Sequence, residues 1–514
     1  MCESWCLCVI VTALITVPVS HCRTAEEWKS RVIYQLLTDR FGPSGPVPVS
    51  PCADLRSYCG GTFRGIVQRL DYIHDLGANA IWISPFVENT DGGFHGYWAK
   101  DMYSVNPHMG TKQELMDLVH ACHQRDIWVM MDVVANHMGP PMGSRYNFTG
   151  YVPFNETWHY HDYCVISDWL NQTEVELCRL STLPDLNQSV PYVRDALLAW
   201  IHDVTAEYGF DGYRVDTAVE VQKWFWPEFT ASAGVFLMGE ANNGDRTCYT
   251  GGYQGPLPSV LNFPLYWAMR RAFNEGQSMT QINKSLALQR KCFKDTSVLG
   301  LFVDNHDFPR FLNLSDDTAL LRNALTYVMF GQGIPIIYYG TEQDFHGGND
   351  PHNRESLWPC YNQTSSTYLF VKGMLAMRHR LAVYFPLNNQ VELYADDHLM
   401  VFTRGALSQI LVAITNVGQN ANITRTLTNL PFKDKTTFIN VDHANDTLVV
   451  QNASFTISLQ HGYPKVYVLE FAVNTTQSDT SRRGNRSHDV ITICALWAWA
   501  VANVVTFVGS LLVH

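Results

Sequence analysis

The chain has 514 residues, of which 46% are hydrophobic and 16% charged, and its formal net charge is −12 at pH 7. This length allows one large domain with one or two smaller ones. The acidic balance argues against a nucleic-acid partner, because phosphate binding needs clustered Lys and Arg. The 14 Trp and 24 Tyr slightly favour sugar recognition, although aromatic side chains are more often part of a core.

Both ends of the chain resemble processing signals. The apolar run from Leu7 to Val19 is too short to span a bilayer comfortably, so residues 1–22 are interpreted as a signal peptide, although a basic n-region is missing. At the other end, a polar spacer precedes an apolar run from Val490 to Val513. Residues 475–514 therefore favour a GPI-anchor signal over a single transmembrane helix, because no basic cluster follows the run. Both interpretations predict a secreted protein held at the cell surface.

Cysteines and glycosylation sequons agree with export. Of 13 cysteines, five lie in or beside the two end segments. Pairs Cys52–Cys59 and Cys164–Cys178 would close short loops, as expected in an oxidising compartment. We expect a third pair between Cys248 and Cys292, although sequence does not determine connectivity and leaves the state of Cys122 and Cys360 open. Sequons that predict a glycosylated surface include Asn147, Asn155, Asn171, Asn283, Asn422, Asn445 and Asn452.

Short apolar runs alternate with helical patterns through most of the chain. The helical patterns include residues 66–76, 112–125, 193–208 and 318–330. Such alternation predicts either a parallel (β/α)8 barrel or a doubly wound α/β sheet. The eight predicted strands cover residues 32–37, 80–84, 127–134, 212–216, 235–240, 260–263, 299–304 and 334–339.

Two departures from this alternation divide the chain. Residues 138–191 form a long polar insert after the third strand, and an insert of that length indicates a subdomain. After about residue 387, short β-branched runs replace the alternation and predict a separate antiparallel β-sandwich over residues 388–474. The predicted barrel therefore comprises residues 23–137 and 192–387.

Carboxylates accumulate at the ends of the predicted strands. In a (β/α)8 barrel the carboxyl ends of the strands form the active site. A single acidic residue after a strand is usually a helix cap. Several converging carboxylates repel one another, so they indicate chemistry or a bound cation. The residues in question are Asp132, Asn136 and His137 after the third strand, Arg214 and Asp216 after the fourth, Glu240 after the fifth, and His306 and Asp307 after the seventh.

Four of these segments resemble, in order, the signature regions of the α-amylase family of glycoside hydrolases (family 13). They are Asp132-Val-Val-Ala-Asn-His137, Gly212-Tyr-Arg-Val-Asp-Thr217, Met238-Gly-Glu240 and Phe302-Val-Asp-Asn-His-Asp307. The flanking motifs are similar to those of fungal, Taka-amylase-like members: His95-Gly-Tyr-Trp98, Leu183-Pro-Asp-Leu186 and Gly347-Gly-Asn-Asp-Pro-His-Asn-Arg354. The resemblance covers roughly residues 28–472. It implies a (β/α)8 TIM barrel with an inserted subdomain, and retaining endo-hydrolysis of α-1,4 bonds in starch or glycogen.

The resemblance also implies a role for each catalytic residue. Asp216 would be the nucleophile, and Arg214 would hold it ionised. Glu240 would be the general acid and then the base, about 5–5.5 Å from the nucleophile. Asp307 would grip sugar hydroxyls and help to distort the ring. Asp132 is interpreted as a structural organiser.

Substrate and metal ligands are implied in the same way. Tyr97 would stack beneath the sugar at the cleavage subsite, and His137 and His306 would donate hydrogen bonds to the hydroxyls of that sugar. Trp98, Asp350 and Arg354 complete the implied substrate contacts. For Ca²⁺, the oxygen ligands would be Asn136, Glu176, Asp185 and the main-chain carbonyl of Glu220, which would clamp the insert to the barrel.

One position departs from the family pattern and leaves the activity open. Where close relatives follow the nucleophile with Lys-His, this chain has Val219-Glu220. The Lys contact on the leaving-group side is therefore lost, which affects chain-length preference and the balance of hydrolysis against transfer. A glucanotransferase or an α-glucosidase is the alternative within the family. From another class, an inactive membrane-bound binding subunit is the alternative. We expect a monomer whose partners are an α-glucan and, through its anchor, a membrane.

Overall fold

The computed structural model describes residues 23–141, 143–382 and 390–470. The predicted signal peptide, the predicted anchor and the predicted domain boundary at residue 387 lie outside these ranges. Within them, no helix has the length and apolar character needed to cross a bilayer.

The strands and helices are numbered in chain order. The strands are β1 (Ile33–Leu36), β2 (Ala80–Ile83), β3 (Val87–Asn89), β4 (Ala99–Val105), β5 (Trp128–Val133), β6 (Gly212–Val215), β7 (Phe236–Gly239), β8 (Ser259–Val260), β9 (Gly300–Leu301), β10 (Ile334–Tyr338), β11 (Val391–Ala395), β12 (Leu399–Arg404), β13 (Ile410–Thr415), β14 (Ile423–Leu427), β15 (Thr437–Asn440), β16 (Thr447–Val449), β17 (Phe455–Leu459) and β18 (Lys465–Leu469). The helices are α1 (Ala25–Trp28), α2 (Thr38–Phe41), α3 (Phe63–Val67), α4 (Leu70–Leu76), α5 (Lys112–His123), α6 (Gln172–Leu177), α7 (Pro191–Tyr208), α8 (Phe225–Ala233), α9 (Thr247–Gly251), α10 (Phe263–Phe273), α11 (Thr280–Cys292), α12 (Phe311–Leu314), α13 (Thr318–Phe330) and α14 (Ser366–Arg380).

Eight parallel strands form the predicted barrel. Their order around the sheet is β8-β7-β6-β5-β2-β1-β10-β9. A parallel bridge between Leu261 and Gly300 joins the two ends of this order and closes the barrel. The strands are buried along their whole length, as expected for a sheet covered by helices on the outside. All eight predicted strands are present, so the barrel is confirmed and the doubly wound sheet was the wrong alternative.

Large side chains fill the barrel interior. Trp28 of α1 is fully buried and stacks on Phe236 with the ring centroids 5.5 Å apart. Its indole Nε1 donates to the main-chain oxygen of Asp211 at 3.3 Å. Trp82, Met130 and other buried apolar side chains continue this core. The interior is therefore a packed core, and open space remains only at the carboxyl ends of the strands.

The insert lies between β5 and α7. It contains α6, and the disulfide Cys164–Cys178 closes a loop around that helix. The main-chain amide of Leu186 donates to the oxygen of Asn136 at 2.8 Å, and His137 forms a bridge with Asp185. The insert is thus attached to the residues that directly follow β5.

The disulfide pairs agree with the expected ones. Cys52–Cys59 and Cys248–Cys292 form the other two pairs in the described residues. Cys122 is buried and Cys360 is partly buried, and neither belongs to a disulfide in that part of the chain. Three disulfides agree with an extracellular protein.

The C-terminal domain is an antiparallel sandwich, as predicted. Six strands form one sheet in the order β11-β12-β13-β18-β15-β16, and β14 pairs with β17. Apolar side chains from both sheets, such as Leu411 and Ile457, share one core.

Asn323 of α13 joins the barrel to this domain. Its side-chain Nδ2 donates to the oxygen of Gly462 at 2.6 Å, and its Oδ1 accepts from the amide of Thr415 at 2.8 Å. The Asn323 side chain is fully buried. An Asn323→Ala variant should be destabilised by about 2–4 kcal/mol, because it leaves a buried donor and a buried acceptor unpaired. Thermal or urea unfolding measures this loss. The exposed Thr424→Ala change is the control, and equal stability of the two variants would contradict the assignment.

Candidate active site

A cavity of about 450 Å³ opens at the carboxyl ends of the barrel strands. Seven of the sequence-predicted site residues line it together, and residues from the insert form its other wall. The lining residues are Tyr97, His137, Trp169, Leu180, Leu183, Asp216, Thr217, Val219, Glu220, Glu240, Asn242, Asn243, Gly244, His306 and Asp307.

The Arg214 guanidinium lies at the centre of the acidic group. Arg214 pairs in register with Asp132 on one side and Met238 on the other. Because side chains alternate along a strand, Asp216 and Glu240 follow on the same face, two residues further on. Arg214 Nη1 lies 2.6 Å from Asp216 Oδ1, and Nη2 lies 2.8 Å from Glu240 Oε2. One side chain thus contacts both carboxylates and keeps them close to each other.

Glu240 lies in a buried, acidic environment. Burial raises the pKa of Glu240 to about 8; Arg214 opposes this rise, and the negative charges of Asp216 and Asp307 add to it. The main-chain amide of Thr217 donates to Glu240 Oε2 at 3.0 Å. Thr217 has a φ of +47°, which is strained for a β-branched residue. Such strain is typical of functional sites, and here it accompanies an amide that contacts the predicted acid.

Asp132, which the sequence analysis interprets as a structural organiser, is surrounded by hydrogen-bond donors. Its carboxylate accepts from Arg214 Nη1 at 2.9 Å, from the Tyr97 hydroxyl at 2.7 Å and from Trp82 Nε1 at 3.0 Å. Burial raises the pKa of Asp132, and Arg214 and the Tyr97 hydroxyl act in the opposite direction. These donors leave Asp132 without room to act on a substrate.

His306 is held between two partners and is neutral. Burial, followed by the charges of Arg354 and Arg214, lowers the pKa of His306 well below its usual range. Gln35 Nε2 lies 2.8 Å from Nδ1, and the Tyr97 hydroxyl lies 2.8 Å from Nε2. Since the Tyr97 hydroxyl already donates to a carboxylate, His306 Nε2 carries the hydrogen. The Tyr97 and His306 rings also stack with centroids 5.4 Å apart.

Asp307, Arg354 and Asp350 form a chain at one side of the cavity. Arg354 Nη2 lies 3.6 Å from Asp307 Oδ1, and Nη1 lies 3.1 Å from Asp350 Oδ1. Arg354 Nε donates to the main-chain oxygen of His306 at 3.0 Å. The structure therefore brings these three residues together next to the other carboxylates, which the motif order alone did not specify.

His137 and Trp98 differ in their relation to the cavity. His137 lines it, and its Nε2 lies 3.2 Å from the main-chain oxygen of Tyr97. Burial lowers the pKa of His137, so its imidazole is neutral. Trp98 is not among the lining residues and packs edge-on against His95 with centroids 4.8 Å apart. The predicted substrate contact of Trp98 therefore has no geometric support and stays a prediction.

Some cavity residues were not predicted from the sequence. Trp169 comes from the disulfide-closed loop of the insert, and its main-chain oxygen accepts from Asn243 Nδ2 at 3.2 Å. Leu180 from the insert and Asn242 complete this wall. The one sequence signal for Trp169 was its position as an aromatic residue inside the short loop closed by Cys164 and Cys178. Val219 lies here in place of the family Lys, and its side chain is buried.

Three of the four predicted metal ligands converge between the insert and the barrel. One end of the Asn136 side-chain amide lies 3.0 Å from Asp185 Oδ1 and 3.2 Å from the main-chain oxygen of Glu220. Glu176 has other described contacts: its Oε1 accepts from Gln172 Nε2 at 2.7 Å. Burial raises the pKa of the Asp185 carboxyl to about 7.

A closed parallel barrel with carboxylates gathered around one arginine at its carboxyl end defines a (β/α)8-barrel enzyme. Residues 35–368 match the family model described as "Alpha amylase, catalytic domain". An uncharacterized glycosyl hydrolase of Schizosaccharomyces pombe is 37% identical over 87% of this chain and 94% of its own length. An α-amylase of Saccharomycopsis fibuligera is 35% identical over 86% and 92%. The solved α-amylase of Malbranchea cinnamomea superposes with a TM-score of 0.83 at 33% identity, covering 88% of this chain and 99% of that one.

The chain belongs to the α-amylase family of glycoside hydrolases, and its similarity to the fungal members is confirmed.

Proposed function

We propose that this glycoside hydrolase cleaves internal α-1,4 bonds of starch, glycogen or related glucans with retention of configuration. The observation that carries the proposal is the contact of Arg214 with both Asp216 and Glu240 at the wall of one cavity. Retaining glycosidases need two carboxyl groups about 5–5.5 Å apart. The curated fungal relatives named α-amylases support the substrate class.

In the first step, Glu240 gives its proton to the glycosidic oxygen while Asp216 attacks the anomeric carbon. The raised pKa of Glu240 keeps that proton available at neutral pH. Arg214 Nη1 lies 2.6 Å from Asp216 Oδ1 and holds that carboxylate in position. The C–O bond to the leaving sugar breaks, and a glycosyl ester on Asp216 forms. In the second step, Glu240 takes a proton from water, which displaces Asp216 from the anomeric carbon.

The neighbouring polar groups bind and orient the sugar. Asp307 accepts hydrogen bonds from sugar hydroxyls, and Arg354 holds its carboxylate in position. His137 and His306 line the cavity as neutral imidazoles, so they add no charge beside the sugar. Interactions that strengthen as the ring flattens favour the transition state over the bound substrate.

Two alternatives are less well supported. An inactive binding subunit would not need Asp216, Glu240 and Asp307, yet all three line the cavity. Glucanotransferases and α-glucosidases share the same catalytic groups, so the products must distinguish them. Val219 and the insert residue Trp169 give the leaving-group side an apolar wall. This wall affects the balance of hydrolysis against transfer.

On soluble starch, the purified protein should lower viscosity quickly and release short maltooligosaccharides. A Glu240→Gln variant should lose about 10²–10⁴-fold in kcat, because it removes general acid–base catalysis. The exposed Glu228→Gln change on α8 is the matched control. Chromatography of the products tests the proposal: glucose alone, or enlarged and cyclic glucans, would favour the alternatives, and full activity of Glu240→Gln would refute the assignment.

The pH dependence should follow the proton on Glu240. Because that proton is needed for bond cleavage and its pKa is raised to about 8, kcat/KM should fall as the pH rises through that region. Asp307 is one of the charges that raise this pKa. In Asp307→Asn, the alkaline limb of the residual activity should therefore move to lower pH. Profiles of kcat/KM on maltoheptaose measure the limb, and a limb that stays in place would contradict this coupling.

We also propose that a Ca²⁺ ion joins the insert to the barrel. If the amide oxygen of Asn136 faces Asp185 and the Glu220 carbonyl, three oxygens converge with no hydrogen to share, and a hard cation resolves their repulsion. The buried charge of Asp185 would be compensated in the same way. Glu176 remains a predicted fourth ligand. The ion would supply a structural clamp, while the chemistry stays with the carboxylates.

Removal of calcium with a chelator should lower the thermal midpoint and the activity. An ion at 100 times its Kd stabilises the folded state by about 2.7 kcal/mol. In Asp185→Asn the difference between calcium-loaded and chelated protein should shrink, whereas the exposed insert variant Asp162→Asn should behave like the parent. Differential scanning fluorimetry measures the midpoints, and a parent protein unaffected by exhaustive chelation would rule out the ion.

Surface anchoring belongs to the same proposal. A lipid anchor attached near residues 475–514 would hold the enzyme on the cell surface, where it could act on external or cell-wall α-glucans. A transmembrane tail remains the alternative anchor.

A further inference from the structure

A patch of exposed aromatic rings lies outside the cavity. Trp158 of the insert is 54% exposed, and Tyr192, at the start of α7, is 46% exposed. Their ring centroids are 5.7 Å apart, and His159 stacks on Tyr192 at 4.8 Å. Tyr103 is 56% exposed, and the pKa of its hydroxyl is raised, first by burial and then by the neighbouring Tyr192. His159 itself is buried. We call the three exposed rings, Tyr103, Trp158 and Tyr192, the aromatic patch.

Rings that are half exposed and grouped in this way need an explanation. Single exposed apolar side chains are common, but contiguous exposed patches on a soluble protein mark a surface that something covers. Flat aromatic rings suit the apolar face of a pyranose sugar better than they suit a charged partner. The patch therefore favours a sugar as its cover.

A glycosylation sequon lies directly beside the patch. Asn155-Glu156-Thr157 precedes Trp158, so the sequon Asn is three residues before the most central ring. Phe154 is fully buried and anchors the turn, and Asn155 is exposed. No hydrogen bond in the described part of the chain engages the Asn155 side-chain amide. Thr157 begins a short 3₁₀ helix that ends at His159, which presents the sequon and the rings on one surface.

Other sequons provide a contrast. Asn171 caps α6, because its Oδ1 accepts from the amide of Glu174 at 3.4 Å. Asn283 lies inside α11 and is only partly exposed. Asn445 is exposed in the C-terminal domain, and none of the aromatic pairs in the described residues includes a ring within three residues of it. Asn147 also lies beside an exposed ring, Tyr146, but its Oδ1 already accepts from the Thr149 hydroxyl at 2.8 Å. Asn155 thus combines exposure, a neighbouring aromatic surface and a side-chain amide that no described hydrogen bond engages.

We propose that Asn155 carries an N-linked glycan whose first N-acetylglucosamine residues cover the aromatic patch. In the modification, the Asn155 amide nitrogen forms a bond to the anomeric carbon of a lipid-pyrophosphate-linked oligosaccharide. The bond from that carbon to the pyrophosphate oxygen breaks, and the amide proton passes to the host transferase. The proposal requires export through a glycosylating compartment and does not depend on catalytic activity.

The test uses the full-length chain secreted from a eukaryotic host. Glycopeptide mass spectrometry should find Asn155 occupied. Hydroxyl-radical footprinting then measures the oxidation rates of the patch rings in the parent and in two variants that lack the sequon, Asn155→Gln and Thr157→Val. Both variants should raise the rates of Trp158 and Tyr192 severalfold. The exposed Trp224 is the internal control and should not change.

Asn445→Gln is the matched control variant, because it removes a distant sequon and should leave the patch rates unaltered. In a Trp158→Ala background, loss of the Asn155 glycan should no longer lower the thermal midpoint, whereas in the parent it should. An unoccupied Asn155, or unchanged oxidation rates after its loss, would overturn the proposal. Slower oxidation of Trp158 when maltoheptaose is added to the glycosylated parent would also overturn it, since the rings would then be open to a free glucan chain.

Discussion

One buried cation determines how the catalytic end of this barrel is built. Arg214 contacts Asp132, Asp216 and Glu240, which come from three neighbouring strands. Without a positive charge, three buried carboxylates would repel one another and carry a large desolvation cost. The side chain that offsets this repulsion thus also holds Asp216 and Glu240 next to each other.

The remaining groups of the site refine this arrangement. Tyr97 links Asp132 to His306, because its hydroxyl contacts both side chains. On the other side, the strained Thr217 directs its amide at Glu240. Burial supplies the raised pKa that a proton donor requires, and neighbouring negative charges increase it.

The insert forms one wall of the cavity and carries the site of the proposed glycan. Its attachment beside His137 and Asp185 places Trp169 and Leu180 opposite the barrel residues. The attachment directly follows β5. A change in the position of the insert would therefore move the residues that line the cleft. The proposed calcium clamp lies at this junction, whereas the proposed glycan lies on the outer side of the insert.

Much of this architecture follows from local sequence. The buried strands, the order of the acidic motifs and the two short-loop disulfides were predictable, because strand burial and close cysteine spacing are local signals. Tertiary structure alone decided that Trp98 packs on His95 and that Arg354 joins Asp307 to Asp350. It also decided that Trp169 reaches the cavity. These contacts depend on how loops of different strands fold over one another, and no periodic pattern in the sequence encodes such long-range packing. The local sequence therefore specifies which residues lie at the carboxyl end of the barrel, and long-range packing determines which of them are in contact.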